Sequence, residues 1–119
     1  MLTTMLKLYK ELEVYLHFAH LKTTSYAQHN ALGDAYDAIG DLNDKLAENL
    51  YRVKEDLVTP SVLHIKTDME REDIIEYIRT MVQETNSFVS GYSNQLEIQD
   101  ILLEYLQCFN KTLYLLTLN

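Results

Sequence analysis

Apolar residues recur at alternating spacings of three and four in four stretches of the chain, the period of helices with one buried face. The first stretch, residues 2–22, carries Leu2, Met5, Tyr9, Leu12, Leu16 and Ala19. A polar break at residues 23–25 precedes a longer stretch, 26–58, with Ala35, Ile39, Leu42, Leu46, Leu50, Val53 and Leu57 on one face, and Pro60 marks its end. Residues 59–67 connect onward and contain Val62, Leu63 and Ile65. Thr67-Asp68-Met69-Glu70 spells a capping box for a third helix that runs to about Ser90, where Gly91 can stop it. Ser93 and Asn94 are expected to cap a fourth, with Ile98, Ile101, Leu102, Tyr105, Phe109, Leu113 and Leu116 facing inward. The pattern predicts an all-α four-helix bundle forming a single domain over residues 1–119. Short outer links pair helix one with two and three with four. The longer middle link suits a tight turn or an extended crossover of about 30 Å, and its apolar cluster favours a segment lying across the bundle.

Face by face, the second helix says more. Asp34, Asp37, Asp41, Asp44 and Glu48 form one stripe, nearly opposite the apolar one. For the first three, a solvated face is the expected role. A third strip holds Gly33, Gly40 and Ala47, with His29, Tyr36 and Tyr51 on the same side. Glycine inside a helix costs roughly 1 kcal/mol relative to alanine. Two such residues point to a helix in close approach, and Asp44 is the acid nearest the strip. On the first helix, Val14, Phe18 and Leu21 form a small apolar group away from the core stripe. It suits a partner surface or contact with the Val62–Ile65 cluster.

Composition narrows the function classes. The net charge is −8 and the ten Lys and Arg residues are scattered, which argues against a phosphate-backbone surface because nucleic-acid affinity needs clustered cations. The single cysteine, Cys108, cannot form an internal disulfide; in an apolar helix it reads as an inert core thiol. No run approaches a membrane-spanning length, and the first residues do not resemble a signal peptide. A cytoplasmic protein is expected. No glycine-rich phosphate loop or activated nucleophile is visible.

Candidate chemistry lies with the histidines and acids. His64 has no acid close in sequence and reads as structural. His17 and His20, one turn apart beside Glu13, make at most a weak surface metal site. His20 and His29 flank the first turn, and Asp44 and Glu48 follow His29 at fifteen and nineteen positions. Imidazole with carboxylate suits iron or zinc. Fifteen helical residues rise about 22 Å, so His29 and Asp44 of one chain cannot share an ion. Two antiparallel copies crossing near residues 36–38 would bring His29 of one to Asp44 of the other, which makes the expected site a property of a dimer. No Glu-x-x-His sequence occurs, so a di-iron site inside one bundle is not expected.

The stretch from His20 to Asp37, continued by Asp44-Lys45-Leu46-Ala47-Glu48, resembles the ferroxidase segment of Dps-like mini-ferritins. The chain is similar over most of its length to short ferritin-like proteins of bacteriophages, whose last helix ends in a pattern like Asn110-Lys111-Thr112-Leu113-Tyr114. The resemblance implies a ferritin-like bundle with a longer connection between helices two and three, iron (a di-iron pair, or zinc in its place) and Fe(II) oxidation. It implies ligands His20 and His29 from one subunit with Asp44 and Glu48 from another, in a homo-oligomer ranging from a dimer to a dodecameric shell, within a host cytoplasm if phage-encoded. Two departures stand out: the histidines are nine apart, closer than in Dps proteins, and Gly33 occupies the position of a further family acid. The competing reading is a metal-free helical protein-interaction module, also phage-encoded, in which Val14, Phe18 and Leu21 matter and Asp44 does not.

Overall fold

A computed structural model describes residues 2–52 and 60–118, with the side chains of residues 2, 3 and 51 left aside. It contains four helices, α1 (Leu2–Lys22), α2 (Tyr26–Arg52), α3 (Arg71–Gly91) and α4 (Leu96–Thr117), and no strand among the described residues. The inner stripe of α1 is buried as its spacing predicts, from Met5 through Tyr9, Leu12 and Leu16 to Ala19. The α2 stripe is buried from Ala35 to Leu50; the expected continuation through Val53 and Leu57 lies outside the described residues. On α4, the expected inward residues are buried except Leu113, which is half-buried.

Neighbouring helices run in opposite directions. Tyr36 of α2 meets His17 of α1, and Asn43 reaches Tyr9. Lys45 pairs with Glu104 at 3.2 Å and Arg52 with Glu97, which sets α2 antiparallel to α4. Gln99 donates to the Val89 carbonyl, while Arg71 Nε donates to that of Leu116 at 2.6 Å, and α3 is therefore antiparallel to α4. Tyr9 bonds Thr85 and Tyr15 packs on Tyr77, which closes the ring between α1 and α3. It follows that α2 and α3 point the same way. The described part of the intervening segment lies along α1: the His64 N–H donates to Glu11 Oε2 at 2.7 Å, and the Tyr15 hydroxyl to the Asp68 carbonyl at 2.7 Å. Ile65 packs on the core while Val62 and Leu63 stay exposed.

Two helix starts differ from expectation. The capping box of α3 is built by Glu70 and Asp73, each side chain serving the other's backbone N–H, in place of Thr67 and Glu70. Hydrogen bonds from Tyr15 and to Glu11 hold residues 64–68 in the connection, so the helix begins one turn later. At α4 the N-cap is Gln95, without a side-chain cap bond, in place of Ser93 or Asn94. The α2 start follows ordinary rules: Ser25 Oγ accepts the Gln28 N–H at 3.2 Å.

The bundle centre is aromatic and polar together. Tyr9 and Tyr105 stack with centroids 3.9 Å apart and planes 9° from parallel. Both hydroxyls are satisfied, Tyr9 with Thr85 Oγ1 and Tyr105 donating to Asn43 Oδ1. Asn43 also donates from Nδ2 to the Tyr9 carbonyl and to Glu13 Oε1. Burial raises both phenols well above their ordinary range, so they stay protonated hydrogen-bonding groups.

Candidate functional site at the α1–α2 hairpin

His20 ends α1 and His29 begins α2, and the three-residue turn between the helices folds them face to face. Their rings stack at 3.8 Å between centroids, 21° from parallel. His20 Nδ1 lies 2.6 Å from the His29 carbonyl, and His29 Nδ1 lies 2.9 Å from the His20 carbonyl. A carbonyl can only accept, so both Nδ1 atoms carry the proton and donate it. Each imidazole is thereby clasped to the backbone beside the other ring. The Nε2 atoms have no hydrogen-bond partner among the described residues.

Gly33 makes room for this clasp. A Cβ there would sit 2.8 Å from His20 Cε1 and 3.0 Å from Nδ1, closer than carbon atoms approach. Gly40, two turns on, would bring its Cβ 3.2 Å from Glu13 Oε2. The small-residue strip of α2 therefore receives α1 of the same chain. The two glycine costs, each about 1 kcal/mol, are explained inside the monomer, and the strip gives no reason to add a partner helix. The aromatic contact continues along the seam: Tyr36 lies 5.6 Å from His20 and stacks on His17 at 4.3 Å. His17 is thus engaged with Tyr36, and Glu13 with Asn43 and Lys10, so the weak site expected of His17, His20 and Glu13 does not assemble.

Asp44 and Glu48 are exposed on the outer face of α2, in line with Asp34, Asp37 and Asp41, and are not brought to the histidines of their own chain. Among the described residues no group of three or more His, Cys, Asp or Glu side chains could hold a metal ion. The stacking carries a further constraint. The ring centroids lie 3.8 Å apart with planes 21° from parallel, whereas two imidazoles on one ion point their nitrogen lone pairs at a common atom about 2 Å from each. Face-to-face stacking of His20 and His29 is unlike that convergent arrangement.

Other side chains prove important without having been singled out. Glu11 is buried and anchors the connection through the His64 N–H. Asn43 organises the bundle centre. Both could be detected as polar residues on otherwise apolar three-and-four rows. Cys108 is half-buried; burial pushes its thiol up, against a hydrogen bond from Thr112 and the charge of Lys111, consistent with an unreactive group. No described helix is long and apolar enough to cross a membrane.

Residues 20–116 match a family of unknown function, DUF5856. The chain belongs to that family. The match begins at His20, so it includes the histidine clasp, α2, the connection, α3 and nearly all of α4, with α1 up to Ala19 outside it. No curated protein and no solved structure matches the chain.

Proposed function

We infer that this chain is a ferritin-like helical bundle working as a protein-interaction module, and that it docks a partner helix on the outer face of α1. The observation that carries this reading is that Phe18 and Leu21, with Val14 half-buried beside them, remain 47% and 60% exposed after the bundle has closed. Exposed apolar side chains at helical spacing are costly in water and favour a covering surface. The ferritin-like part rests on the parallel directions of α2 and α3, with a connection lying along α1. A photoreactive side chain installed at Phe18 should give a discrete cross-linked product in the producing cell that disappears with Leu21→Ser. The same probe at Asp37 should give none. Equal products at both positions, or none at Phe18, would remove this reading.

A second reading, iron or zinc bound between two copies, is favoured by one observation. Both histidines donate Nδ1–H to a backbone carbonyl, the outer hydrogen bond that orients ligating imidazoles and leaves Nε2 for a metal. One of His20 and His29 from one copy would hold each ion with Asp44 and Glu48 from the other. Fe(II) held there would be the substrate, giving up its electron to dioxygen or peroxide at the open coordination positions. The acids of α2 oppose such a pairing in the absence of a cation, because an antiparallel α2 crossing sets Asp34, Asp37 and Asp41 against their equivalents. Addition of Fe(II) should then convert monomer to dimer, and Asp44→Ala should abolish the conversion. A monomeric mass with and without metal would exclude it.

A further inference from the structure

The last helix keeps a row of apolar side chains out of the core. On α4, Leu96 is 67% exposed, Leu103 44% and Tyr114 63%, and half-buried Leu106 stands one turn from Leu103. By helical phase, Leu96, Leu103, Gln107, Asn110 and Tyr114 fall within an arc of about 60°, and none of the five is charged. The flanks of α4 are taken. Arg52 and Lys45 of α2 reach Glu97 and Glu104 on one side, while Gln99 and Leu116 bond with Val89 and Arg71 of α3 on the other. Between these flanks Leu96, Leu103 and Tyr114 are left uncovered.

The charged side chains of α4 are Glu97, Asp100, Glu104 and Lys111. Glu97 is paired with Arg52 and Glu104 with Lys45. Asp100 and Lys111 make no ion pair among the described residues. Lys111 shares a recess with Asp34 and Asp41 of α2, so cations and acids alternate along that flank, and Asp100 is the acid left without a cation beside it among the described residues. By helical phase both Asp100 and Lys111 lie on the α2 side of the row. They stand toward its opposite ends, about 16 Å apart along the helix.

We propose that this face of α4 pairs with the same face of a second copy, antiparallel about a two-fold axis passing near residue 105. That crossing sets Leu96 of each copy on Tyr114 of the other and gathers Leu103 and Leu106 of both at the axis. The same axis keeps the α2 flanks of the two helices on one side, so Asp100 of each copy meets Lys111 of the other. Read from either end, positions 96, 100, 103, 107, 111 and 114 advance by threes and fours. A self-pairing surface needs that reversal symmetry, and a helix of another protein would not call for it. Parallel pairing would set Asp100 on Asp100 and Lys111 on Lys111, and like charges oppose it. The contact is independent of the α1 docking face and of the metal reading, which use other helices. Its apolar part is small, so a dissociation constant on the order of 10–100 µM is expected.

The test is sedimentation equilibrium of the full chain, with chelator present so that no metal can drive pairing. The mass should be that of a monomer at about 1 µM and approach that of a dimer at about 500 µM. Carbodiimide, which joins a carboxylate to an amine without a spacer, should then link Asp100 to Lys111. Within one chain the two are too far apart for that bond, so the linked peptide arises only between copies. Leu103→Lys should weaken association at least about tenfold with the helical spectrum unchanged, and Asp100→Lys about tenfold. A monomer throughout, a dimer without the Asp100–Lys111 product, or a dimer that survives both substitutions would each overturn the proposal.

Discussion

At the bundle centre, Asn43 engages Tyr105, the Tyr9 backbone and Glu13, and Tyr9 engages Thr85, with every partner supplied by the protein itself. At the hairpin end, His20 and His29 are just as firmly clasped through Nδ1, yet each leaves Nε2 without a partner among the described residues, and Phe18 and Leu21 beside them stay exposed. Both clusters are polar and aromatic, and both stack two rings under 4 Å apart. They differ in burial. An unsatisfied hydroxyl in the core costs about 1–3 kcal/mol, whereas at the half-buried hairpin water can serve a free nitrogen. The centre is therefore complete, and the rim retains groups free to meet something else.

Breaking the centre should have the largest effect. Asn43→Leu removes the acceptor of the buried Tyr105 hydroxyl together with the donor to Tyr9 and Glu13, and urea unfolding should show a loss of about 2–4 kcal/mol. The glycines come next. Gly33→Ala gains about 1 kcal/mol of helix propensity but drives a Cβ against the clasped His20 ring; a net loss of about 1–2 kcal/mol and disruption of the imidazole stacking are expected. Gly40→Ala meets only the far end of the flexible Glu13 side chain and should be close to neutral, while Gly91→Ala enters open space and should stabilise, by up to about 1 kcal/mol. Equal losses at Gly33 and Gly40 would show that His20 is not held rigidly.

A smaller effect concerns pH. Tyr77, packed on Tyr15, has its pKa raised from 10.0 to about 12, first by burial and then by the nearby Glu11 charge. Between these values the unfolded chain releases a proton that the folded chain keeps, so the contribution of Tyr77 is complete below pH 10 and is lost as pH rises through about 12. Tyr77→Phe should flatten part of the alkaline fall in stability. The smallest effect belongs to the rim: Phe18→Ser and Leu21→Ser should each change folding stability by no more than about 0.5 kcal/mol. A large loss at either would mean that the outer row is a structural part of the bundle rather than a free surface.

The helices and the inner stripes of α1, α2 and α4 are legible as periodicity, because burial of one face imposes the same spacing at every turn. Helix starts were less legible. Glu70, rather than Thr67, caps α3 because bonds from Tyr15 and to Glu11, remote in sequence, hold the preceding segment out of the helix. The strip of Gly33, Gly40 and Ala47 correctly announces a close helix, but spacing cannot say whose. It receives His20 and Glu13 of the same chain.

The four ligand-type residues divide along the same line. Helical rise alone separates His29 from Asp44, and the short turn alone brings His20 to His29; both follow from local geometry. The reciprocal Nδ1 bonds and the cofacial stacking required the folded hairpin, since they depend on ring orientations that Gly33 permits. The sequence by itself determined four amphipathic helices, their pairing across short links and an apolar Val14–Phe18–Leu21 group off the core stripe, because these depend on residues one or two turns apart. Only the tertiary structure decided the directions of α2 and α3, the owner of the glycine strip and the free nitrogens of the clasp, because each depends on groups that meet across helices and compete for the same partner.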